Sequence, residues 1–140
     1  MLRKMFGSDR GPAIAASTVR RVLVVEDEEP LRRVIRRNLE RRGVAVDEAR
    51  TAADALVALR QALPDLLLLD INLPDRTGWD LLRELRSLGR MPRTAVVSAV
   101  RVAPERLREF GVNAYLPKPF PIEALLGLVS ASTVRAQPWP

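Results

Sequence analysis

The chain has 140 residues, of which 47% are apolar and 29% charged, a composition typical of one globular domain. It contains no cysteine and no histidine, which excludes disulfides, thiolate metal sites and histidine as a base or metal ligand. No apolar stretch is long enough to cross a membrane, and the N-terminus lacks the apolar core of a signal peptide. We therefore expect a cytoplasmic protein whose chemistry depends on carboxylates, hydroxyls or lysine.

The net charge of +6 is unevenly distributed along the chain. Most of the excess lies in residues 1–21, whereas the rest is nearly balanced. We expect residues 1–19 to be a flexible basic arm, residues 20–132 a single domain and residues 133–140 a C-terminal tail. A basic arm can bind the phosphates of nucleic acid or an acidic membrane surface, so this alternative stays open for the arm. We do not expect the folded part itself to bind nucleic acid.

Short apolar runs alternate with helical stripes along the folded part. The predicted strands, in chain order, are residues 22–25, 44–49, 66–69, 94–97 and 114–116. The predicted helices are one from Pro30 that stops at Gly43, then residues 51–63, 79–88 and 104–110, and one that begins at Pro121. Five strand–helix repeats predict a doubly wound α/β fold, with a five-stranded parallel sheet and helices on both faces.

Two helices carry specific expectations about burial. In the first helix, the apolar stripe of Leu31, Val34, Ile35 and Leu39 should face the core. Its arginines lie mainly off that stripe, and we interpret them as a solvated face, with a partner-docking face as the alternative. These arginines are Arg32, Arg33, Arg36, Arg37, Arg41 and Arg42. In the third helix, Trp79, Leu82 and Leu85 should be buried, and Leu81 is a further candidate.

Polar residues follow four of the predicted strands. Glu26 and Asp27 follow the first strand, Asp70 ends the leucine run 66–69, Ser98 follows the fourth strand and Lys118 the fifth. Because parallel strands share one carboxyl edge, where α/β sheets bind ligands, these side chains can meet in one cleft. Taken singly, each has a simpler interpretation, such as a turn residue, a helix-dipole acid or a surface charge.

The residue types at these strand ends suit phosphoryl chemistry. Clustered carboxylates repel one another, and a divalent cation relieves that repulsion. With oxygen ligands alone the natural cation is Mg²⁺. Lysine adds a positive charge and serine a hydrogen-bond donor, which together suit a phosphoryl group. An ionised carboxylate can attack phosphorus and form an acyl phosphate.

As an ordered set, these segments resemble the response-regulator receiver domain of two-component signalling, a flavodoxin-like fold similar to chemotaxis regulators. The resemblance is carried by residues 22–29, 66–78, 96–99 and 115–120, and it covers residues 20–132. It implies signal transduction through an aspartyl phosphate, as in a phosphorelay, and not an enzyme that acts on a separate substrate. The domain would catalyse only its own phosphorylation and dephosphorylation.

The resemblance also implies roles for individual residues. Asp70 would accept a phosphoryl group from a phosphohistidine of a sensor kinase or phosphotransfer protein. Asp27 and Asp70 would bind Mg²⁺ directly, Glu26 would bind it through water, and Asn72 would offer its backbone carbonyl. Lys118 would pair with the phosphate.

Two further residues would form a switch. Ser98 would move to hydrogen-bond the phosphoryl oxygen and Tyr115 would swing inward behind it, remodelling the surface near the fourth helix, fifth strand and fifth helix. The chain departs from the family in having Glu26 where aspartate is more usual. The spacing from Ser98 to Lys118 is also slightly short, so we expect a short or shifted fourth helix.

Three alternatives concern what the domain does with the phosphate. It could be a stand-alone receiver that controls an unknown target protein, or the N-terminal receiver of a longer regulator with a DNA-binding or enzymatic output domain. A homodimer on activation is left open. A Mg²⁺-dependent phosphatase with Asp70 as nucleophile usually needs a second acid two positions on, where this chain has Asn72.

Overall fold

The computed structural model describes residues 19–130, so the predicted tail and all but the last residue of the predicted arm lie outside the described residues. Each predicted strand and helix is present, with bounds that differ by one or two residues. The strands are β1 Arg21–Val25, β2 Ala45–Ala49, β3 Leu66–Asp70, β4 Thr94–Ser98 and β5 Ala114–Pro117. The helices are α1 Glu29–Arg41, α2 Ala52–Gln61, α3 Gly78–Ser87, α4 Pro104–Glu109 and α5 Ile122–Ser130.

The five strands form one parallel sheet in the order β2-β1-β3-β4-β5. Residues of β3 alternate between two cores: Leu67 and Leu69 pack on one face of the sheet, and Leu66 and Leu68 on the other. Helices α2, α3 and α4 cover the first face, whereas α1 and α5 cover the second. Because both faces are covered, β3 and β4 are buried along their whole length, as their continuous apolar runs predict. The doubly wound parallel fold is therefore confirmed.

Local sequence explains where several helices begin and end. The hydroxyl of Thr51 accepts a hydrogen bond from the Asp54 N–H at 3.0 Å, which caps α2. Thr77 caps α3 in the same way through the Asp80 N–H, at 3.2 Å. After α1, Gly43 adopts a φ of +80°, a left-handed conformation that glycine tolerates best. Helix α4 has only six residues, which confirms the expected short fourth helix.

Three burial expectations were wrong. Arg32 is buried, because its guanidinium reaches inward to the backbone carbonyl of Glu26 instead of outward to solvent. Val34, expected in the apolar stripe, is 47% exposed. Trp79 is only half-buried, because it lies in the first turn of α3 at the edge of the core.

No helix within residues 19–130 is long and apolar enough to span a bilayer.

Candidate functional site

Three acidic side chains meet at the carboxyl edge of the sheet. Strands β1 and β3 are neighbours in parallel register, so Glu26, which follows β1, lies beside Asp70 at the end of β3. Carboxylate oxygens of Glu26, Asp27 and Asp70 all lie within 4.8 Å of one another. Glu26 and Asp70 are buried, with 2% and 4% exposure, and Asp27 is half-buried. These oxygens form a donor set that fits a hard divalent cation, because such ions prefer carboxylate ligands.

Lys118 supplies the positive charge of this cluster. Its ammonium lies 3.0 Å from Asp70 Oδ2, 3.0 Å from Glu26 Oε1 and 3.4 Å from Glu28 Oε1. Burial alone would lower the pKa of Lys118, but the hydrogen bonds and charges of Asp70 and Glu26 outweigh burial and raise it above its usual value. Lys118 is therefore a fixed cation at neutral pH and cannot serve as a base.

The pKa of the Glu26 carboxyl is raised above its usual value. Burial is the largest cause, and the negative charge of Asp70 adds to it. Hydrogen bonds from the Glu28 N–H and from Lys118 act in the opposite direction without cancelling burial. Both carboxylate oxygens of Glu26 already accept a bond, Oε2 from the Glu28 N–H at 3.0 Å and Oε1 from Lys118.

The loop after β3 fixes the second oxygen of Asp70. Oδ1 accepts a hydrogen bond from the backbone N–H of Asn72 at 3.0 Å. The N–H of Gly78 donates to the Ile71 carbonyl at 2.7 Å, and Asn72 forms an isolated antiparallel bridge with Thr77. A Cβ at Gly78 would lie 3.0 Å from the Asp70 carbonyl oxygen. Glycine therefore lets the loop fold back closely beneath the acidic cluster.

Asp75 ties the same loop to helix α2. Its carboxylate accepts hydrogen bonds from the N–H groups of Ala52 and Ala53, both at 2.9 Å. These bonds hold the pKa of the Asp75 carboxyl below its usual value. The two N–H groups belong to the first turn of α2, which has no acceptor within its own helix for them.

The structure does not bring Ser98 into a hydrogen bond with Asp70. Its hydroxyl instead donates to the Val100 carbonyl at 2.7 Å and accepts from the Val100 N–H at 3.0 Å. Tyr115, on the neighbouring strand β5, is half-buried and packs against the core that α2, α3 and α4 cover. Ser98 also lines a groove of about 360 Å³ together with Asn72, which is exposed, and Trp79. The sequence-predicted roles of Ser98, Tyr115 and Asn72 stay predictions.

Sequence reasoning did not assign Glu28 and Arg32 to the site. Glu28 contacts Lys118 through a long side chain, and its place in the acidic run of residues 26–29 was a usable signal. Arg32 donates from Nη1 to the Glu26 carbonyl at 2.8 Å and from Nε to Glu48 at 2.6 Å. Burial raises the pKa of Glu48, but hydrogen bonds from Arg36 and Arg32 outweigh it and hold this pKa below its usual value.

Comparisons of the sequence and of the structure with known proteins agree on one family. The model of the family described as the response regulator receiver domain matches residues 22–130. The response regulator MprA of Mycobacterium avium (strain 104) is 36% identical over 120 residues, which cover 84% of this chain and 53% of MprA. The chain thus spans about half the length of the curated relatives it matches.

Solved structures with the same fold include receiver domains. The non-phosphorylated receiver domain of HemR from Leptospira biflexa is 32% identical, with a TM-score of 0.71 over 80% of this chain and 95% of that one. The response regulator TrrA from Thermotoga maritima, solved in complex with Mg²⁺-BeF, is 25% identical, with a TM-score of 0.71 over 81% of this chain and 99% of that one.

Proposed function

The chain belongs to the response regulator receiver family of two-component signalling, and from this premise we propose that Asp70 accepts a phosphoryl group from a phosphohistidine. The donor would be a sensor histidine kinase or a histidine phosphotransfer protein. The observation that carries this proposal is the contact of the Lys118 ammonium with Asp70, inside a cluster of three carboxylates. The proposal implies a cytoplasmic domain that controls a partner protein and acts on no separate substrate.

The residues of the cluster divide the chemistry between them. An oxygen of Asp70 forms the new O–P bond while the P–N bond of the donor breaks. The electron pair of the P–N bond stays with the imidazole nitrogen of the donor. Lys118 stays protonated and contacts an oxygen of the arriving phosphoryl group, which stabilises the charge in the transition state. The Asn72 N–H holds the other oxygen of Asp70 and so orients the carboxylate.

A divalent cation fits this site, and Mg²⁺ is the proposed cofactor. When bound, Mg²⁺ would neutralise phosphoryl oxygens and relieve repulsion between the carboxylates. Asp27 and Asp70 would hold it directly, and the backbone carbonyl of Asn72 would complete the protein ligands. Glu26 would act through water, as the resemblance to receiver domains implies. The Mg²⁺-BeF complex of TrrA supports the choice of metal.

The output of the reaction is a proposed change of surface. Once Asp70 carries a phosphoryl group, the Ser98 hydroxyl would leave Val100 and donate to a phosphoryl oxygen. The loop from β4 to α4 would follow it, and Tyr115 would move inward into the space that opens. A partner protein would then distinguish the two states by the surface around α4, β5 and α5, where a homodimer on activation would also form.

The test is the intact mass of the protein after incubation with acetyl phosphate, with and without Mg²⁺. We expect an adduct of one phosphoryl group that requires Mg²⁺ and is absent from Asp70→Asn. The matched control is Asp54→Asn, an exposed aspartate in the first turn of α2, which should accept phosphate like wild type. Phosphoramidate, which carries a P–N bond, serves as a second donor. If neither donor modifies the wild type, the proposal fails.

A second form of the proposal makes this domain the input of a longer regulator. It is favoured by the finding that the chain spans about half the length of MprA and its relatives. The residue limits 20–132 for the receiver stay a proposal in either case. Sequencing the gene beyond the codon for Pro140 decides between the two forms. A stop codon there supports a stand-alone receiver, and an open frame that encodes a further domain supports the longer regulator.

A further inference from the structure

Glu26 is held through its backbone as well as its side chain. Its N–H donates to the Ala49 carbonyl at 3.0 Å, and its own carbonyl accepts from Arg32 Nη1 at 2.8 Å. Lys118 and the Glu28 N–H occupy its carboxylate oxygens. Every polar group of Glu26 thus has a protein partner, and the bond to Arg32 comes from a side chain on helix α1.

The guanidinium of Arg32 is itself held by two acceptors. Its side chain is 10% exposed, and Nε donates to Glu48 on β2 at 2.6 Å. Arg36 pairs with the other oxygen of Glu48, so that carboxylate is fixed in turn. A buried guanidinium with two acceptors has little rotational freedom, because its donors form a rigid planar fork. The turn that carries Glu26 and Asp27 is therefore tied to α1 and β2 together.

We infer that Arg32 is a positioning residue for the metal-binding turn, which it holds in place through the Glu26 carbonyl. The inference rests on the proposed function, since it concerns how the acidic cluster is arranged to bind Mg²⁺. Arg32 bonds to the backbone carbonyl of Glu26 and not to the carboxylate of Glu26 or of Asp27. Its effect on these two carboxylates therefore passes through the backbone of residues 26 and 27. Groups that orient ligands in this way commonly change metal affinity by tenfold or more.

Simple electrostatics predicts the opposite result, which makes the inference testable. Arg32 is a cation near a cation site, so removing its charge reduces repulsion and should tighten Mg²⁺ binding. Removing a positioning group should weaken it. The sign of the change therefore distinguishes the two roles.

The experiment is a Mg²⁺ titration of the full chain labelled with ¹⁵N, followed by the amide shifts of Asp27 and Asn72. We expect Arg32→Met to raise the dissociation constant about tenfold. Arg33→Met is the matched control, because Arg33 lies next on α1, is exposed and pairs with Glu29. Its dissociation constant should stay at or slightly below that of wild type. Urea unfolding without Mg²⁺ shows that each variant is folded under the titration conditions.

Arg32→Lys covers the case in which Arg32→Met does not fold. Lysine keeps the charge but has no planar fork, so it cannot serve Glu48 and the Glu26 carbonyl in the same geometry. We expect its dissociation constant to rise several-fold. A folded variant at position 32 that binds Mg²⁺ as tightly as wild type, or more tightly, overturns the inference and leaves the proposed function intact. Wild type that binds no Mg²⁺ overturns the metal-dependent proposal and, with it, this inference.

Discussion

On the acidic side of the site, formed by Glu26, Asp27, Asp70 and Lys118, the charged groups lie against one another. On the hydroxyl side, formed by Ser98 and Tyr115, the serine hydroxyl is bonded to the backbone of Val100. Lys118 already contacts Asp70 in this structure, so the acidic side needs no rearrangement to take up its proposed role. Under the proposed function, the hydroxyl side would exchange one partner for another. The difference teaches that the proposed function divides accepting phosphate and signalling its presence between different structural elements.

The largest effect should come from removing the cation of the acidic side. We expect Lys118→Met to slow phosphorylation of Asp70 by acetyl phosphate about a hundredfold, because the transition state loses a fixed positive charge. The rate of adduct formation, followed by intact mass, checks this. Lys4→Met is the control, since Lys4 is the only other lysine of the sequence. If Lys118→Met is phosphorylated at the wild-type rate, the contact between Lys118 and Asp70 does not assist phosphorylation, and the residues of the acidic side do not act together.

The second effect tests the support beneath the acidic side. A methyl group at Gly78 would lie 3.0 Å from the Asp70 carbonyl oxygen and from Ile71 Cδ1, so the loop must shift. We expect Gly78→Ala to lower the free energy of unfolding by about 1–3 kcal/mol, measured in urea. Gly127→Ala in α5 is the control, because a Cβ there meets nothing within 4 Å. It should leave stability unchanged or raise it by about 1 kcal/mol.

The third effect concerns the hydroxyl side. Loss of the Ser98 hydroxyl should change the rate of phosphorylation less than it changes the structural response to phosphorylation. We expect Ser98→Ala to accept phosphate within about threefold of the wild-type rate and to lose at most about 1 kcal/mol of stability. The change of the Tyr115 amide shift on phosphorylation should nevertheless disappear, because the variant lacks the hydroxyl that we propose links phosphate to the loop. If Ser98→Ala is phosphorylated tenfold more slowly than wild type, Ser98 instead takes part in the phosphorylation chemistry together with the acidic side.

The smallest effect concerns pH and Asp75. Because its native pKa lies below its ordinary value of 3.8, the Asp75 carboxylate stabilises the fold above that pH and loses this contribution as the pH falls below it. Asp75→Asn should therefore lower stability at pH 7 and make it less sensitive to acid. Urea unfolding at pH 7 and pH 3 checks this, with exposed Asp54→Asn as the control. Equal acid sensitivity in wild type and Asp75→Asn would contradict it.

Much of the fold was predictable because the parallel sheet leaves a strong local pattern. The leucines of residues 66–69 and the apolar run before Ser98 have no polar face, which is expected of strands covered by helices on both sides. Gly43, which predicted the end of α1, has a positive φ angle, and so do Gly89 after α3 and Gly111 after α4. Local patterns of this kind need no knowledge of distant residues.

Within the site, the positions of side chains were predictable only for residues that lie at the ends of strands. Parallel topology places Glu26 beside Asp70 whatever the loops do, and the acidic cluster follows. Arg32 could not be predicted in the same way, because its burial depends on Glu48, sixteen residues further along, facing it from β2. The present bond of Ser98 to Val100 depends on the path of a single loop, which no periodic pattern encodes.

The order of charges along the chain has a consequence for assembly during synthesis. The three carboxylates belong to residues 26–70, whereas the lysine that contacts two of them follows β5, a four-residue strand that pairs with β4 at the edge of the sheet formed by residues 19–130. A growing polypeptide therefore carries all three mutually repelling acids before residue 118 has been made. Docking of β5 brings their counter-charge, so electrostatic attraction favours the addition of this short strand to the sheet.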